Sequence, residues 1–342
     1  MRAVLVTRPG ELPSLGQIPA PILGEALVPG FPIDEPNVPP RRPGPHPASL
    51  IEVSYAAVNP IDLHVASGTF FQGTPQVPYV PGVEGVGLIV ESATLPSGTR
   101  VRFELGHPGY GANGSMAELA AADDAGLVEL PETVTEEDAA ALGNSAITAG
   151  RVLDFAEMAH GETVLVLGAS GAIGKVAIQL ARHRGAGEVI AAGRDAGRLE
   201  RALELGADHI VLLAGKSSEE VTAELRELGG VDVVIDPLWG EPAMAALGAG
   251  KFGVRLVNFG LAAGPSVDMS SVPLRNNRAT VKGVSTAMDS FEVRRASFIE
   301  GLELLAGGGL VVDHRVFPIE DVADAWTAQR GSPGARLLLA IG

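Results

Sequence analysis

The sequence predicts an α/β protein in which a doubly wound, parallel-sheet domain is inserted into a β-rich domain. Between residues 163 and 285, short apolar segments alternate with amphipathic helical ones. The apolar segments carry almost no polar positions, which is typical of parallel strands that are covered on both faces. Shorter segments of alternating character, separated by Gly and Pro turns, precede this region, and a strand pair follows it.

The amino-terminal part predicts short strands at "SLIEVSYAAV", "GVGLIVES", "TRVRFELG" and "SMAELAAAD". Before them, prolines recur from Glu11 to Pro47. Because proline cannot donate to a strand ladder or continue a helix, this segment is expected to be an irregular surface excursion. This segment either packs loosely over the domain surface or serves as a substrate lid, and the first interpretation is favoured.

Around Pro131 the pattern becomes helical in "TVTEEDAAALGNSAITAGRVLDFAEM", with Thr135 as the expected N-cap. The strand–helix alternation that follows ends near "ATVKGVS". These changes predict a β-rich domain over residues 1–136 and 287–342 and an inserted domain over residues 137–286.

Composition excludes several classes of function. The 342 residues carry a net charge of −16, which argues against a nucleic acid partner because the basic patch is missing. The chain has no cysteine, so disulfides, thiol catalysis and thiolate zinc sites are excluded. With no apolar run of about 18 residues and no apolar leader, we expect no membrane partner and a cytoplasmic location.

A glycine-rich turn joins a predicted strand to a predicted helix in "VLVLGASGAIGKVAIQLA". It fits the dinucleotide fingerprint with Ala in place of the first Gly, over Ala169, Ser170, Gly171, Ala172, Ile173 and Gly174. Glycine lets the backbone approach a pyrophosphate at the helix N-terminus. A turn without a ligand is the alternative, and the flanking strand, helix and second strand favour the dinucleotide site.

The second strand, "EVIAAGRD", predicts which dinucleotide binds. A site for NAD needs a carboxylate at the end of this strand, where the chain has Gly193 followed by Arg194, with Arg198 one turn later. A guanidinium suits a 2′-phosphate, so NADPH is the expected cofactor. Asp195 lies nearby and is equally suited to capping the next helix.

Taken together, "AVNPIDLHVASG", "VPGVEGVG", "LGNSAITAG", the cofactor loop and "VDVVIDPLWG" resemble the medium-chain dehydrogenase/reductase superfamily over nearly the whole chain. The resemblance implies a Rossmann domain inserted into a GroES-like catalytic domain. Zinc enzymes of that superfamily bind their catalytic metal with Cys, His and Cys, and the matching positions here are Asn59, Val83 and Asn144. Asn is a poor zinc ligand and Val is none, so no metal is expected. The chain looks most like the zinc-free quinone oxidoreductases and related enoyl reductases.

The resemblance also implies roles for particular residues. Asn59 would face the nicotinamide and donate its amide to a substrate carbonyl, or else it forms an Asx-turn before Pro60; both stay open. Asn144 occupies another vacated ligand position, and Thr148 matches a threonine that contacts the nicotinamide. The nicotinamide half of the cofactor would be lined by Asn258, Phe259 and Gly260.

His64 matches the proton-relay histidine of the zinc enzymes, although the relay's hydroxyl residue is replaced by Ile61. Quinone reductases usually carry Tyr where His64 stands. His64 is therefore either a proton source for the reduced oxygen or a buried histidine with a structural role. His107, in a loop, is expected to serve packing or to contact solvent.

The sequence thus predicts hydride transfer from NADPH to a quinone or an α,β-unsaturated carbonyl, with Asn59, His64 or Asn144 steadying the oxygen. A specialised enoyl reductase of a biosynthetic pathway and a non-catalytic NADPH-binding protein are the alternatives. The resemblance also implies a homodimer that pairs through the sheet edge of the cofactor domain, where "ATVKGVS" would be the exposed strand.

Overall fold

The computed structural model describes residues 1–23, 48–70, 73–105, 108–110 and 112–342. It divides into two compact units. Unit 1 comprises Met1–Asn144, Ser290–Leu302 and Val312–Gly342, and unit 2 comprises Ser145–Asp289 and Glu303–Val311. The predicted boundaries at residues 136 and 286 did not include the return of residues 303–311 to unit 2.

The described residues form strands and helices that are numbered here in chain order. The strands are β1 Arg2–Leu5, β2 Ser14–Gln17, β3 Ala48–Val58, β4 Glu84–Glu91, β5 Arg100–Glu104, β6 Leu119–Asp123, β7 Leu127–Glu129, β8 Thr163–Leu167, β9 Glu188–Gly193, β10 His209–Leu212, β11 Val231–Asp236, β12 Gly250–Asn258, β13 Thr280–Gly283, β14 His314–Pro318 and β15 Arg336–Ala340. The α-helices are α1 Pro60–Ala66, α2 Glu136–Phe155, α3 Ala172–His183, α4 Ala196–Glu204, α5 Ser218–Glu227, α6 Gly240–Gly248, α7 Ser271–Asn276, α8 Phe291–Ala306 and α9 Val322–Arg330.

Unit 1 is built on a largely antiparallel sheet with the order β14-β15-β3-β4-β5-β7, and β6 also pairs with β3. The alternation along β3 buries Ile51 and Val53 while Glu52 between them is exposed. The core of this unit also contains the fully buried Trp326 of α9. The predicted β-rich domain is therefore confirmed as a fold.

Unit 2 contains a parallel sheet with the order β10-β9-β8-β11-β12-β13. Every residue of β8 is buried, as expected for a strand that is covered on both faces. The strand order reverses between β8 and β11, which is where doubly wound sheets bind their ligands. The predicted Rossmann-type sheet is therefore confirmed.

One local feature differs from the sequence prediction. The proline-rich segment was expected to be irregular throughout, but Ser14–Gln17 form β2, which pairs antiparallel with β1. That prediction was wrong because the prolines flank this short edge ladder instead of interrupting it. The rest of the segment from residue 24 to Pro47, and His107, lie outside the described residues. Among the helices that the structure describes, none is long and apolar enough to span a membrane.

Candidate active site

The phosphate loop of unit 2 joins β8 to α3. The tight turn is made by Gly168, whose φ is 63°, one residue before the Ala169 that sequence matching placed at the first glycine of the fingerprint. A Cβ on Gly174 would lie 2.6 Å from the carbonyl oxygen of Gly168 and 2.8 Å from Cα of Ala169. Glycine is thus required at both ends of the loop for α3 to pack closely on β8.

The N-terminus of α3 points its first backbone N–H groups at the space above this loop. Gly171 is the N-cap and has no side chain to satisfy those donors. Ala172 and Ile173 are the first helical residues, and their N–H groups have no partner four residues earlier within the helix. Donors of this kind, together with the helix dipole, fit the pyrophosphate of a dinucleotide.

The end of β9 carries the residues that were predicted to select the cofactor. Gly193 is buried, and a Cβ there would lie 3.0 Å from Cδ2 of Leu199. Arg194 follows and is exposed. Asp195 is the N-cap of α4: its Oδ1 accepts from the backbone N–H of Arg198 at 3.1 Å, and its Oδ2 lies 3.4 Å from Nε of Arg198. Asp195 therefore has the capping role that the sequence left open.

The carboxyl ends of β11 and β12 are held together by Asp236 and Asn258. Nδ2 of Asn258 donates to Oδ2 of Asp236 at 2.9 Å and to the carbonyl oxygen of Gly260 at 2.8 Å. Burial raises the pKa of the Asp236 carboxyl. Asn258 and Gly260, with Phe259 between them, thus lie at the same sheet edge as the phosphate loop and Arg194, where parallel sheets bind nucleotides.

Helix α2 carries the two remaining predicted site residues, Asn144 and Thr148. The helix is interrupted at Gly143, with φ 20° and ψ −125°. Asn144 follows this interruption and is half-buried, whereas Thr148 is 5% exposed. Thr135 caps the helix as predicted, since its Oγ1 accepts from the backbone N–H of Asp138 at 3.1 Å.

The centre of unit 1 contains a buried charge cluster of Glu84, Glu104, Arg102, Arg294 and Arg336. Arg102 donates to Oε2 of Glu84 at 2.8 Å and to Oε2 of Glu104 at 2.9 Å, and Arg336 donates to Oε1 of Glu84. Nε of Arg294 lies 2.9 Å from Oε1 of Glu104. Burial acts to raise the pKa of the Glu84 carboxyl, but the charges of Arg336 and Arg102 outweigh it, and the pKa lies below its ordinary value.

Each of the three positions that match zinc ligands either contacts Glu84 or is next in the chain to a residue at Glu84. Nδ2 of Asn59 donates to Oε1 of Glu84 at 3.2 Å, and Val83 precedes Glu84 in the chain. Gly143, the neighbour of Asn144, approaches so closely that a Cβ on it would lie 2.4 Å from Oε2 of Glu84. Within the described ranges, no three His, Asp or Glu side chains are grouped closely enough to hold a metal ion.

Asn59 is fully buried, and its side-chain contacts fix the direction of its amide. Nδ2 donates to Oε1 of Glu84 and, at 3.3 Å, to the carbonyl oxygen of Ala57. Oδ1 accepts no hydrogen bond from any described residue, so no Asx-turn forms. Because both of its amide protons are donated to these acceptors, Asn59 can offer a ligand only its oxygen. The donor role predicted for Asn59 is therefore unavailable in this arrangement.

His64 lies on the exposed side of α1, away from the buried Asp62, Val65 and Ala66. The alternative of a buried histidine is therefore wrong, because α1 is too short for its apolar pattern to have revealed which face is covered. Its exposure leaves His64 without a fixed hydrogen-bond geometry toward the Glu84 region.

Sequence reasoning did not identify the buried charge cluster. Each member stands as an isolated charge in or beside an apolar stretch, such as Glu84 in "VPGVEGVGLIV" and Arg336 in "ARLLLAI". These charges could have indicated buried ion pairs, because a charge in a buried strand needs a partner of opposite sign. Their pairing follows from register: Val58 pairs with Leu337, so Asn59 and Arg336 lie at the end of the same ladder.

Comparison with known proteins agrees with this architecture. Residues 45–132 match the alcohol dehydrogenase GroES-like domain and residues 172–307 match the zinc-binding dehydrogenase model. The quinone oxidoreductase-like protein 2 of Bos taurus is 32% identical over 319 residues, covering 88% of this chain and 87% of that protein. The quinone oxidoreductase of Lama guanicoe is 31% identical and covers 84% and 86%.

Among solved structures, the quinone oxidoreductase of Thermus thermophilus, which was also solved in complex with NADPH, is 25% identical with a TM-score of 0.77 over 100% of both chains. Together with the two domain matches and the curated relatives, this likeness spans both units. The chain therefore belongs to the medium-chain dehydrogenase/reductase superfamily of NAD(P)-dependent oxidoreductases, in its quinone oxidoreductase-like branch.

Proposed function

We propose that the protein is a zinc-independent oxidoreductase that uses NADPH to reduce a quinone or an α,β-unsaturated carbonyl compound. The observation that carries this proposal is the set of side chains around Glu84. Asn59, Val83 and Asn144 stand where metal-dependent relatives place two thiolates and an imidazole. Without a Lewis acid to polarise it, the acceptor must itself be electrophilic.

The residues of unit 2 fit NADPH. The α3 N-terminus would bind the pyrophosphate, and glycine at positions 168 and 174 lets the loop and α3 pack closely on β8. Arg194 would bind the 2′-phosphate, since Asp195 is engaged as a helix cap. Reduced nicotinamide would supply the hydride. The complex of the Thermus thermophilus quinone oxidoreductase with NADPH supports NADPH as the cofactor.

The chain must also stabilise the oxygen on which negative charge develops. The amide protons of Asn59 are already donated to Glu84 and Ala57. Asn144 is half-buried, and its side chain donates to no described residue. We therefore assign the donor role to Asn144, while Oδ1 of Asn59 accepts from a hydroxyl or amide of the bound compounds.

The proposal is tested by following NADPH oxidation with a panel of quinones, enones, simple aldehydes and ketones. We expect turnover of quinones or enones and none of simple carbonyl compounds. Turnover of enones alone would favour the specialised enoyl reductase. Tight NADPH binding without turnover of any acceptor would favour the non-catalytic protein and contradict the proposal.

We further propose a homodimer that pairs through β13. This strand is the edge of the unit 2 sheet, and Val281 within it is 36% exposed. Sedimentation should give twice the chain mass of 35.1 kDa, and Val281→Asp should dissociate the dimer. Ile210→Asp, at the opposite sheet edge in β10, is the matched control and should leave the dimer intact. A wild-type monomer at micromolar concentration would contradict the proposal.

A further inference from the structure

A small cavity in unit 1 lies beside α1, next to one of the vacated ligand positions. Its volume is about 10 Å³, which is room for about one water molecule. Ile61, Val65 and Val83 give it apolar walls, and its polar lining residues are Asp62 and Tyr79.

The carboxyl group of Asp62 is buried without a cationic partner of its own. It is 3% exposed, and its oxygens accept from the backbone N–H of Asn59 at 2.8 Å and of Gly82 at 3.2 Å. The nearby guanidinium groups of Arg336 and Arg102 donate to Glu84 instead. Burial favours the neutral form of Asp62, whereas these two N–H donors favour its ionised form.

The second polar group of the cavity is the phenol of Tyr79. This residue is 4% exposed, and its hydroxyl has no hydrogen-bond partner among the described residues. A buried hydroxyl without a partner is costly unless a water or ligand satisfies it. One water in the cavity could hydrogen-bond both to this phenol and to Asp62.

We propose that Asp62 is the proton reservoir of the reduction and passes its proton out through a water held against the Tyr79 hydroxyl. This inference rests on the proposed function. Val83 lines the cavity and precedes Glu84 in the chain, so the cavity lies next to the positions where the reduced oxygen would be stabilised. Asp62 is placed to supply a proton through this cavity, whereas His64 is exposed on the other side of the same helix.

The step balances. The acceptor takes a hydride, which carries two electrons, and becomes an anion. The O–H bond of the Asp62 carboxyl breaks, a water proton forms the new O–H bond of the product, and the water regains the proton from Asp62. The carboxylate is then reprotonated from solvent, so each turnover consumes one hydride and one proton.

The charged groups around Asp62 fix the direction of its titration. Burial is the largest influence and raises its pKa, the N–H of Asn59 and the charge of Arg336 lower it, and Glu84 raises it further, to about 7 overall. The carboxyl is therefore protonated below neutrality and loses its proton as pH rises through that value. Asp62 can therefore supply a proton at acid pH but not at alkaline pH.

The test combines a direct titration with kinetics. In infrared difference spectra of the unliganded full chain, a band of a protonated buried carboxyl should disappear with a midpoint near pH 7, and it should be missing in Asp62→Asn. Asp62→Asn should lower kcat about a hundredfold and remove the inflection near neutrality, with NADPH affinity unchanged. Tyr79→Phe should lower kcat about tenfold and keep the inflection.

Glu91→Gln, at an exposed carboxylate at the end of β4, is the control and should match the wild type in both measurements. Absence of a carboxyl titrating near neutrality, or an unchanged pH profile in Asp62→Asn, would overturn the role of Asp62. If the wild-type protein fails to oxidise NADPH with every acceptor tested, the proposed function is overturned, and with it the need for a proton from Asp62. The infrared titration does not depend on turnover, so the two failures are distinguishable.

Discussion

Replacing Glu84 by Gln is expected to lower the free energy of unfolding by about 3 to 5 kcal/mol, the usual cost of removing one partner from a buried ion pair. The substitution removes the carboxylate that Arg102 and Arg336 share, and these residues are only 1% and 4% exposed. Their charges would then stay buried with one fewer counter-charge. Denaturant unfolding monitored by tryptophan fluorescence measures the loss.

Glu118→Gln provides the matched control for this experiment. Glu118 also pairs with an arginine in unit 1, but the side chains of Arg2 and Glu118 are 39% and 36% exposed. Because exposed ion pairs contribute little, the control should lose about 1 kcal/mol or less. Equal effects of the two substitutions would contradict the account of the cluster.

The stabilisation by Glu84 should also depend on pH in one direction. The pKa of its carboxyl in the folded chain lies below the ordinary value of 4.5. Its contribution is therefore complete above that value and declines as pH falls through the lowered pKa. The difference in stability between the wild type and Glu84→Gln should narrow in strong acid.

Arg194→Ala is expected to weaken NADPH binding about 10- to 100-fold, which corresponds to the loss of a charge-assisted hydrogen bond of about 1.5 to 3 kcal/mol. NADH has no 2′-phosphate, so its affinity should change little. Arg194 is exposed at the end of β9, whereas Asp195 caps α4 and pairs with Arg198. Arg194 is therefore the residue expected to contact the 2′-phosphate. Titration of nucleotide fluorescence measures both affinities.

Arg201→Ala is the control for general charge effects. Arg201 lies on α4 as well and pairs with Glu204 one turn away, so its loss should leave both affinities unchanged. Equal weakening of NADPH and NADH by Arg194→Ala would mean that Arg194 does not bind the 2′-phosphate. In that case the cofactor preference would have to reside elsewhere in unit 2.

The fold of unit 2 was predictable because its signals are local. Each strand is a short apolar run, and each helix is bounded by residues that begin and end helices. The predicted parallel sheet is confirmed. The phosphate loop was predictable for the same reason, although the turn glycine proved to be Gly168 instead of position 169. Strand β2 was missed because its four residues are too few to show a periodicity.

The buried charge cluster was not predictable in detail because its contacts join distant segments. Arg336 and Glu84 are separated by 252 positions and meet only through the registers of β15, β3 and β4. The direction of the Asn59 amide depends in turn on Glu84. A donor role for Asn59 was reasonable from its residue type, and only the neighbours show that its amide protons are already used.

The central claim is that reduction proceeds without a metal ion, and it is tested most directly by measuring zinc content and NADPH-dependent quinone or enone reduction in the same chelator-dialysed sample. We predict far less than one zinc per chain and undiminished turnover, because Asn59, Val83 and Asn144 supply no thiolate or imidazole. Stoichiometric zinc, or activity that is lost on chelation and restored by added zinc, would contradict it.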